Sequence, residues 1–123
     1  MSPTGFDHIV LCVADIEKTI AFYSELGMQP NEERPGKWSL HFGPHKISLQ
    51  DALAHPNIAS DTVPGTGNFC VLTDEPVERL AATLRNRGVE ITDAGERDGA
   101  TGKLNSIYFR DPDGNLVEIS NQL

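Results

Sequence analysis

Apolar residues in this chain fall into short runs separated by glycine, proline and aspartate. The first run, Phe6 to Val13 (FDHIVLCV), has the apolar and β-branched content of a strand, interrupted only by Asp7 and His8. Asp15 then stands as an N-cap for a helix over Ile16 to Leu26, with Ile16, Ile20 and Tyr23 at helical spacing and Gly27 as the stop. Three strand-like pieces follow, Met28 to Glu33, Lys37 to Phe42 and His45 to Gln50, with Pro35-Gly36 and Gly43-Pro44 as turns between them. From Asp51 to Gly67 no period is sustained, and Pro56, Pro64, Gly65 and Gly67 mark a connecting loop.

The same order then recurs. Asn68 to Leu72 (NFCVL) reads as a strand, Thr73 or Asp74 as a helix cap, and Pro76 falls in the favoured first turn. A helix through Val77, Leu80, Ala81 and Leu84 ends at Gly88. Val89 to Thr92, Leu104 to Arg110 and Asn115 to Ser120 complete the set, the last two joined by the sharp Asp111-Pro112-Asp113-Gly114 turn. The chain therefore predicts β-α-β-β-β twice, an α+β fold in which two modules form a curved mixed sheet around a cleft. We expect one domain over residues 1–123, with module 1 at about 5–53, a linker at about 54–66 and module 2 at about 67–121. Neither half is long enough to bury a sufficient core alone.

Strand alternation sorts the polar intrusions by face. On the first strand Ile9, Leu11 and Val13 suit a helix, which leaves His8, Val10 and Cys12 on the concave side. On the last strand Val117 and Ile119 suit the helix and leave Glu118 on the concave side with Leu116 and Ser120. A carboxylate placed there needs a partner. His8 and Glu118 are suitable types for a divalent ion, and a hydrogen-bonded His–Glu pair is the competing reading.

Charge and composition narrow the partners. The 123 residues carry 10 basic and 18 acidic side chains, a formal charge of −8, which opposes a nucleic-acid backbone as partner. No run has the length of a membrane span, the N-terminus lacks the basic and apolar parts of a signal peptide, and a cytoplasmic protein is expected. Cys12 and Cys70 sit in apolar runs and read as small hydrophobes. The glycine-containing segment Ala94 to Gly102 lacks the strand-then-helix setting of a phosphate loop. Arg97 and Arg110 could meet an anionic substrate, although solvent or ion-pair roles are the default, and Tyr108 and Trp38 either line the cleft or pack. His41 reads as a polar face residue, and His45 and His55 as solvated.

The opening FDHIVLCVADIEKTIAFYSELGM and the closing SIYFRDPDGNLVEIS resemble the vicinal oxygen chelate superfamily, which holds glyoxalase I, bleomycin-resistance proteins and extradiol dioxygenases. With FGPHKISLQ and VPGTGNFCVLT added, the chain is similar to the glyoxalase domain-containing protein 5 group. The resemblance implies a divalent metal (Ni, Zn, Mn or Fe) held by residues of the first and last strands, with His8 and Glu118 matching outright and Glu118 also catalytic. Asn68 stands where the enzymes often have a second His. The fourth-strand position falls on Ser48 or Gln50, Gln50 being the better donor and Ser48 the better match between halves. It further implies a homodimer and lyase, isomerase or dioxygenase chemistry on a small oxygen-chelating substrate. Metal-free binding or sequestration of a small molecule, as in antibiotic resistance, is the alternative.

Overall fold

The computed structural model describes residues 1, 4, 6–52 and 62–123. The chain divides into two compact units, Met1–Thr66 and Gly67–Leu123. Each carries the expected β-α-β-β-β order. Among the described residues no helix is long and apolar enough to cross a membrane. His55 and most of the stretch read as a loop lie outside the described residues.

Unit 1 contains β1 (Ile9–Val13), α1 (Ile16–Glu25), β2 (Gln29–Arg34), β3 (Lys37–Phe42) and β4 (His45–Asp51). Its sheet runs β1-β4-β3-β2, with β1 parallel to β4 and the other pairs antiparallel. Asp15 caps α1 by accepting a hydrogen bond from the Lys18 amide at 3.1 Å, which satisfies one of the first-turn donors. At the other end Gly27, at φ 90°, lets the Gly27 and Met28 amides turn back onto the carbonyls of Ser24 and Tyr23. The helix buries Thr19 and Tyr23, and Leu11, Val13, Leu40, Ile47 and Leu49 fill the core from the sheet.

Unit 2 contains β5 (Asn68–Leu72), α2 (Val77–Asn86), β6 (Asp93–Asp98), β7 (Lys103–Arg110) and β8 (Leu116–Gln122), in the order β5-β8-β7-β6. β5 runs parallel to β8 and the remaining pairs are antiparallel. Helix α2 packs on β7 and β8 through Val77, Leu80, Ala81 and Leu84, above Ile107, Phe109, Val117 and Ile119. Its C-terminus repeats that of α1, with Gly88 and Val89 amides bonded to the carbonyls of Arg85 and Leu84.

Three elements differ from the sequence expectation. The sixth strand is not Val89 to Thr92 but Asp93–Asp98, which overlaps the glycine-containing segment Ala94 to Gly102. This edge strand is largely solvent-exposed, so its pairing with β7 rests on backbone hydrogen bonds and leaves no apolar period to read. Likewise α2 is capped by neither Thr73 nor Asp74. Pro76 occupies the N-cap position, without a side-chain bond. The first free amide, Val77, instead donates to Asn121 Oδ1 on β8 at 3.0 Å, while Asn121 Nδ2 donates to the carbonyls of Thr73 and Glu75 at 2.8 Å. One amide thus ties the helix start to the last strand, and Asn121→Ala should lower the free energy of unfolding by about 1–2 kcal/mol in a denaturant titration. Finally β1 begins at Ile9, so His8 stands just ahead of the strand rather than within it.

The Asp111–Asn115 turn places β8. Asp111 Oδ1 accepts from the amides of Asp113 and Asn115, each at 2.9 Å, and its Oδ2 accepts from Asn115 Nδ2 at 2.7 Å. Asn115, 1% exposed, in turn accepts the Gly67 amide at 2.7 Å and so fixes the entry to β5.

Candidate functional site

Each sheet has one face under its helix and one polar face. In unit 1 the polar face carries Val10 and Cys12 from β1, Ser48 and Gln50 from β4, and Ser39 and His41 from β3, as the strand registers require. Continuing the Ile9↔Ile47 register back by one residue sets His8 beside Lys46. His8 is 40% exposed, and its Nδ1 lies 2.8 Å from Asp7 Oδ1, which leaves Nε2 pointing outward from that contact. Asp7 is held below the usual carboxylate range by this hydrogen bond and by the charge of the ring.

Beside it runs a second network. Lys46 Nζ donates to Glu33 Oε1 at 2.7 Å, and the buried Ser39 hydroxyl donates to the same oxygen at 2.9 Å. Ser39 has a single hydroxyl proton, so His41 Nε2, 2.9 Å from Ser39 Oγ, must be the donor in that contact. Lys46 and then Ser39 hold Glu33 below its ordinary value of 4.5. A carboxylate lowered on folding contributes stability that is complete above the unfolded value and lost as pH falls through the folded one. The melting-temperature gap between the wild type and Glu33→Gln should therefore be widest near neutral pH, begin to narrow as pH falls through 4.5, and close only once pH is below the lowered folded value, where both side chains are uncharged. A gap that stays constant into acid would mean that the charge of Glu33 is not what stabilises the sheet.

In unit 2 the polar face carries Asn68, Cys70 and Leu72 from β5, Glu118 and Ser120 from β8, Ser106 and Tyr108 from β7, and Asp93, Gly95 and Arg97 from β6. Glu118 is half-buried and lies directly across from Tyr108 on one side and Cys70 on the other. Its Oε2 accepts the Ser106 hydroxyl at 2.7 Å, with the Ser120 hydroxyl at 3.3 Å. Ser106 and Ser120 are fully buried and 2.6 Å apart, and Cys70 Sγ is 3.3 Å from Ser120 Oγ. Because Ser106 gives its one proton to Glu118, the Ser120 proton is shared between Ser106 Oγ and Glu118 Oε2 and the Cys70 thiol donates to Ser120, a chain of donors ending on the carboxylate. Burial, with Glu118 adding to it against the Ser120 bond, pushes the Cys70 thiol up. Cys70 is nonetheless exposed as a residue, whereas Cys12, also on an edge strand of its sheet, is buried.

Tyr108 is raised by burial first, then by Glu118, with Arg97 opposing. The Arg97 guanidinium stands over the Tyr108 ring, 5.2 Å from its centroid, and pairs with Asp93 at 2.9 Å. Among the described residues no lysine, arginine or histidine forms an ion pair with Glu118.

The registers bear on the expected ligand positions. Ser48 lies across from Val10 as Glu118 lies across from Cys70, so Ser48 is the counterpart of Glu118 and Asn68 that of His8. Gln50 sits one pleat further on, beside Cys12, and corresponds to Ser120. Ser48 is buried at 3% exposure, Gln50 is half-buried and Asn68 is exposed. No group of three or more His, Cys, Asp and Glu side chains able to hold a metal occurs among the described residues. Alternation puts Ser120 on the face of Glu118, but Ser106 was not singled out in the sequence. Ser106-x-Tyr108 and Glu118-x-Ser120 have strand spacing, yet only the Ser106↔Ser120 register brings them together.

A family model, the Glyoxalase/Bleomycin resistance protein/Dioxygenase superfamily, matches residues 5–119, and the chain belongs to that superfamily. It is 42% identical over 117 residues to the virulence protein STM3117 of Salmonella typhimurium, covering 93% of this chain and 81% of that one. The crystal structure of STM3117 superposes with a TM-score of 0.93 at 39% identity, covering the whole of both chains. The glyoxalase domain-containing protein RDO1 of Mycosarcoma maydis is 34% identical over 122 residues, 98% of this chain and 69% of that protein. Lactoylglutathione lyase GLX1 of Arabidopsis thaliana is 30% identical over 124 residues, 93% of this chain but only 43% of the lyase.

Proposed function

We propose that this chain is a metal-dependent enzyme acting on a small substrate with neighbouring oxygen atoms, with His8 and Glu118 as protein ligands to a divalent cation. The observation that carries the reading is Glu118, a half-buried carboxylate oriented by the Ser106 hydroxyl at 2.7 Å and given no cationic partner among the described residues. A charge placed this way costs folding energy unless a cation completes it. His8 supports the same reading, since a carboxylate on Nδ1 fixes the ring and leaves Nε2 as donor.

The donor chemistry fits such an ion in part. One imidazole and one carboxylate are strong donors, whereas Ser48, Gln50 and Asn68 supply only a hydroxyl and amides. That set suits an oxygen-rich coordination sphere with positions left for water and substrate, and does not suit a closed tetrahedral zinc site. Asn68 in place of a second histidine also weighs against the two-His, one-carboxylate set of iron dioxygenases. We therefore favour lyase or isomerase chemistry, in keeping with the similarity to lactoylglutathione lyase. When bound, the cation would supply Lewis-acid polarisation of a substrate oxygen. The chain's own part is to hold Glu118 in one rotamer through Ser106 and Ser120 and His8 through Asp7.

The decisive measurement is metal analysis by mass spectrometry on protein purified without a chelator or polyhistidine tag. A stoichiometric divalent ion is expected in the wild type, lost in His8→Ala and in Glu118→Ala. No ion in the wild type would overturn the reading and leave metal-free binding of a small molecule. We also expect a homodimer, read by light scattering; a mass equal to one chain would exclude it.

A further inference from the structure

Arg97 is built into the polar face of unit 2 with more care than a surface arginine needs. It lies on β6 two residues beyond Gly95, and its guanidinium folds back over that glycine. Gly95 has φ +145°, and a Cβ there would stand 2.9 Å from Arg97 Nη1. Any other residue would therefore be strained and would also strike the guanidinium. Three contacts then fix the group. Nη1 donates to the Glu96 carbonyl at 2.9 Å, Nη2 donates to Asp93 Oδ2 at 2.9 Å, and the cation lies 5.2 Å from the Tyr108 ring centroid.

Five N–H donors belong to a guanidinium, and these two hydrogen bonds use two of them. The side chain remains 34% exposed, so the others can reach a ligand. The direction of that ligand follows from the register. Gly95 faces Ser106, Ser106 faces Ser120, and Tyr108 stands between Asp93 and Glu118. Two strand spacings, about 10 Å, separate the arginine's strand from that of Glu118.

We propose that Arg97 is a specificity-determining residue, its guanidinium binding an oxyanion, a carboxylate in particular, at the end of the substrate remote from Glu118. This rests on the reading of Glu118 as a cation ligand. Arg97 and Asp93 cancel in charge, so without the cation the face keeps the negative charge of Glu118 and disfavours an anion. With the cation bound the face is net positive and takes a substrate whose chelating oxygens and distal carboxylate lie about 5 Å apart. That span leaves about 2 Å for the ligand bond at one end and about 3 Å for the hydrogen bond at the other.

Two probes separate these features. 2-Oxoglutarate and 2-oxovalerate have the same carbon chain and the same chelating 2-oxo acid, and only the first has a distal carboxylate. By calorimetry on the Mn²⁺-loaded protein, 2-oxoglutarate should bind about tenfold more tightly than 2-oxovalerate. Arg97→Gln should remove that preference, bringing the two affinities together, while Mn²⁺ still binds. Arg97→Lys should keep only part of it, because an ammonium lacks the planar fork. Gly95→Ala, which displaces the guanidinium but keeps its charge, should weaken the preference too. No preference in the wild type, or one that survives Arg97→Gln, overturns the assignment and leaves the metal reading standing. If Mn²⁺ does not bind, the metal reading fails, and the same probes on metal-free protein decide about Arg97. A preference dependent on Arg97 then upholds it, and its absence overturns it.

Discussion

Phe109→Ala is expected to lower the stability of the chain by about 3–5 kcal/mol, the largest effect of any single substitution considered. Phe109 is fully buried on β7, on the face covered by α2, with Val117 as its register partner. The apolar residues of α2, Val77, Leu80, Ala81 and Leu84, close over this face. Truncation would remove most of a ring and leave a void that neighbouring strands, tied by ladder hydrogen bonds, are unable to fill. Such a loss should lower the melting temperature by roughly 10 °C or more. Phe109→Leu, which keeps much of the volume, should cost clearly less. A loss below about 1 kcal/mol in Phe109→Ala would contradict the packing of α2 on β7.

The architecture was readable because its punctuation is chemical. Asp15 and Gly27 bracket α1 as capping preferences require, and Gly88 ends α2 in the same hydrogen-bonded turn. β3 and β5 run over the residues that their apolar content marks. What escaped was set by partners distant in sequence. β6 is a strand because β7 offers a ladder, not because DAGERD favours one. Helix α2 begins where it does because Asn121, 44 residues later, accepts the Val77 amide. Local propensity carries neither fact.

The site follows the same division. Alternation sufficed to put Glu118 opposite the helix face, since Val117 and Ile119 flank it and both are buried. Apart from Ser120, two residues on along β8, its surroundings did not follow. Ser106, Ser120 and Cys70 converge on that carboxylate through two strand registers, and a slip of one residue in either would turn them to the other face. Arg97 was legible as an arginine in a glycine-containing segment, but its place over Gly95 and Tyr108 depends on β6 being a strand at all.

Glu118→Gln should produce opposite effects with and without metal, which no merely structural role predicts. Glutamine has nearly the same shape, and its carbonyl oxygen still accepts the Ser106 hydroxyl that bonds Glu118 at 2.7 Å. The change removes a half-buried negative charge that has no ion-pair partner among the described residues. It also reduces the self-repulsion of a chain whose formal charge is −8. In the presence of a chelator the variant should therefore be as stable as the wild type or up to about 1 kcal/mol more so. A neutral amide is a far weaker donor than a carboxylate, so Mn²⁺ affinity should fall by about a hundredfold or more. Mn²⁺ at a hundred times its dissociation constant would stabilise the wild type by about 2.7 kcal/mol and the variant by little. The order of the two melting temperatures should thus reverse, or open from parity, when chelator is replaced by Mn²⁺. If Glu118→Gln is instead destabilised in chelator and shifted by Mn²⁺ as much as the wild type, the carboxylate serves the serine network of the fold and no cation. Such a result would transfer the role of Glu118 from chemistry to structure.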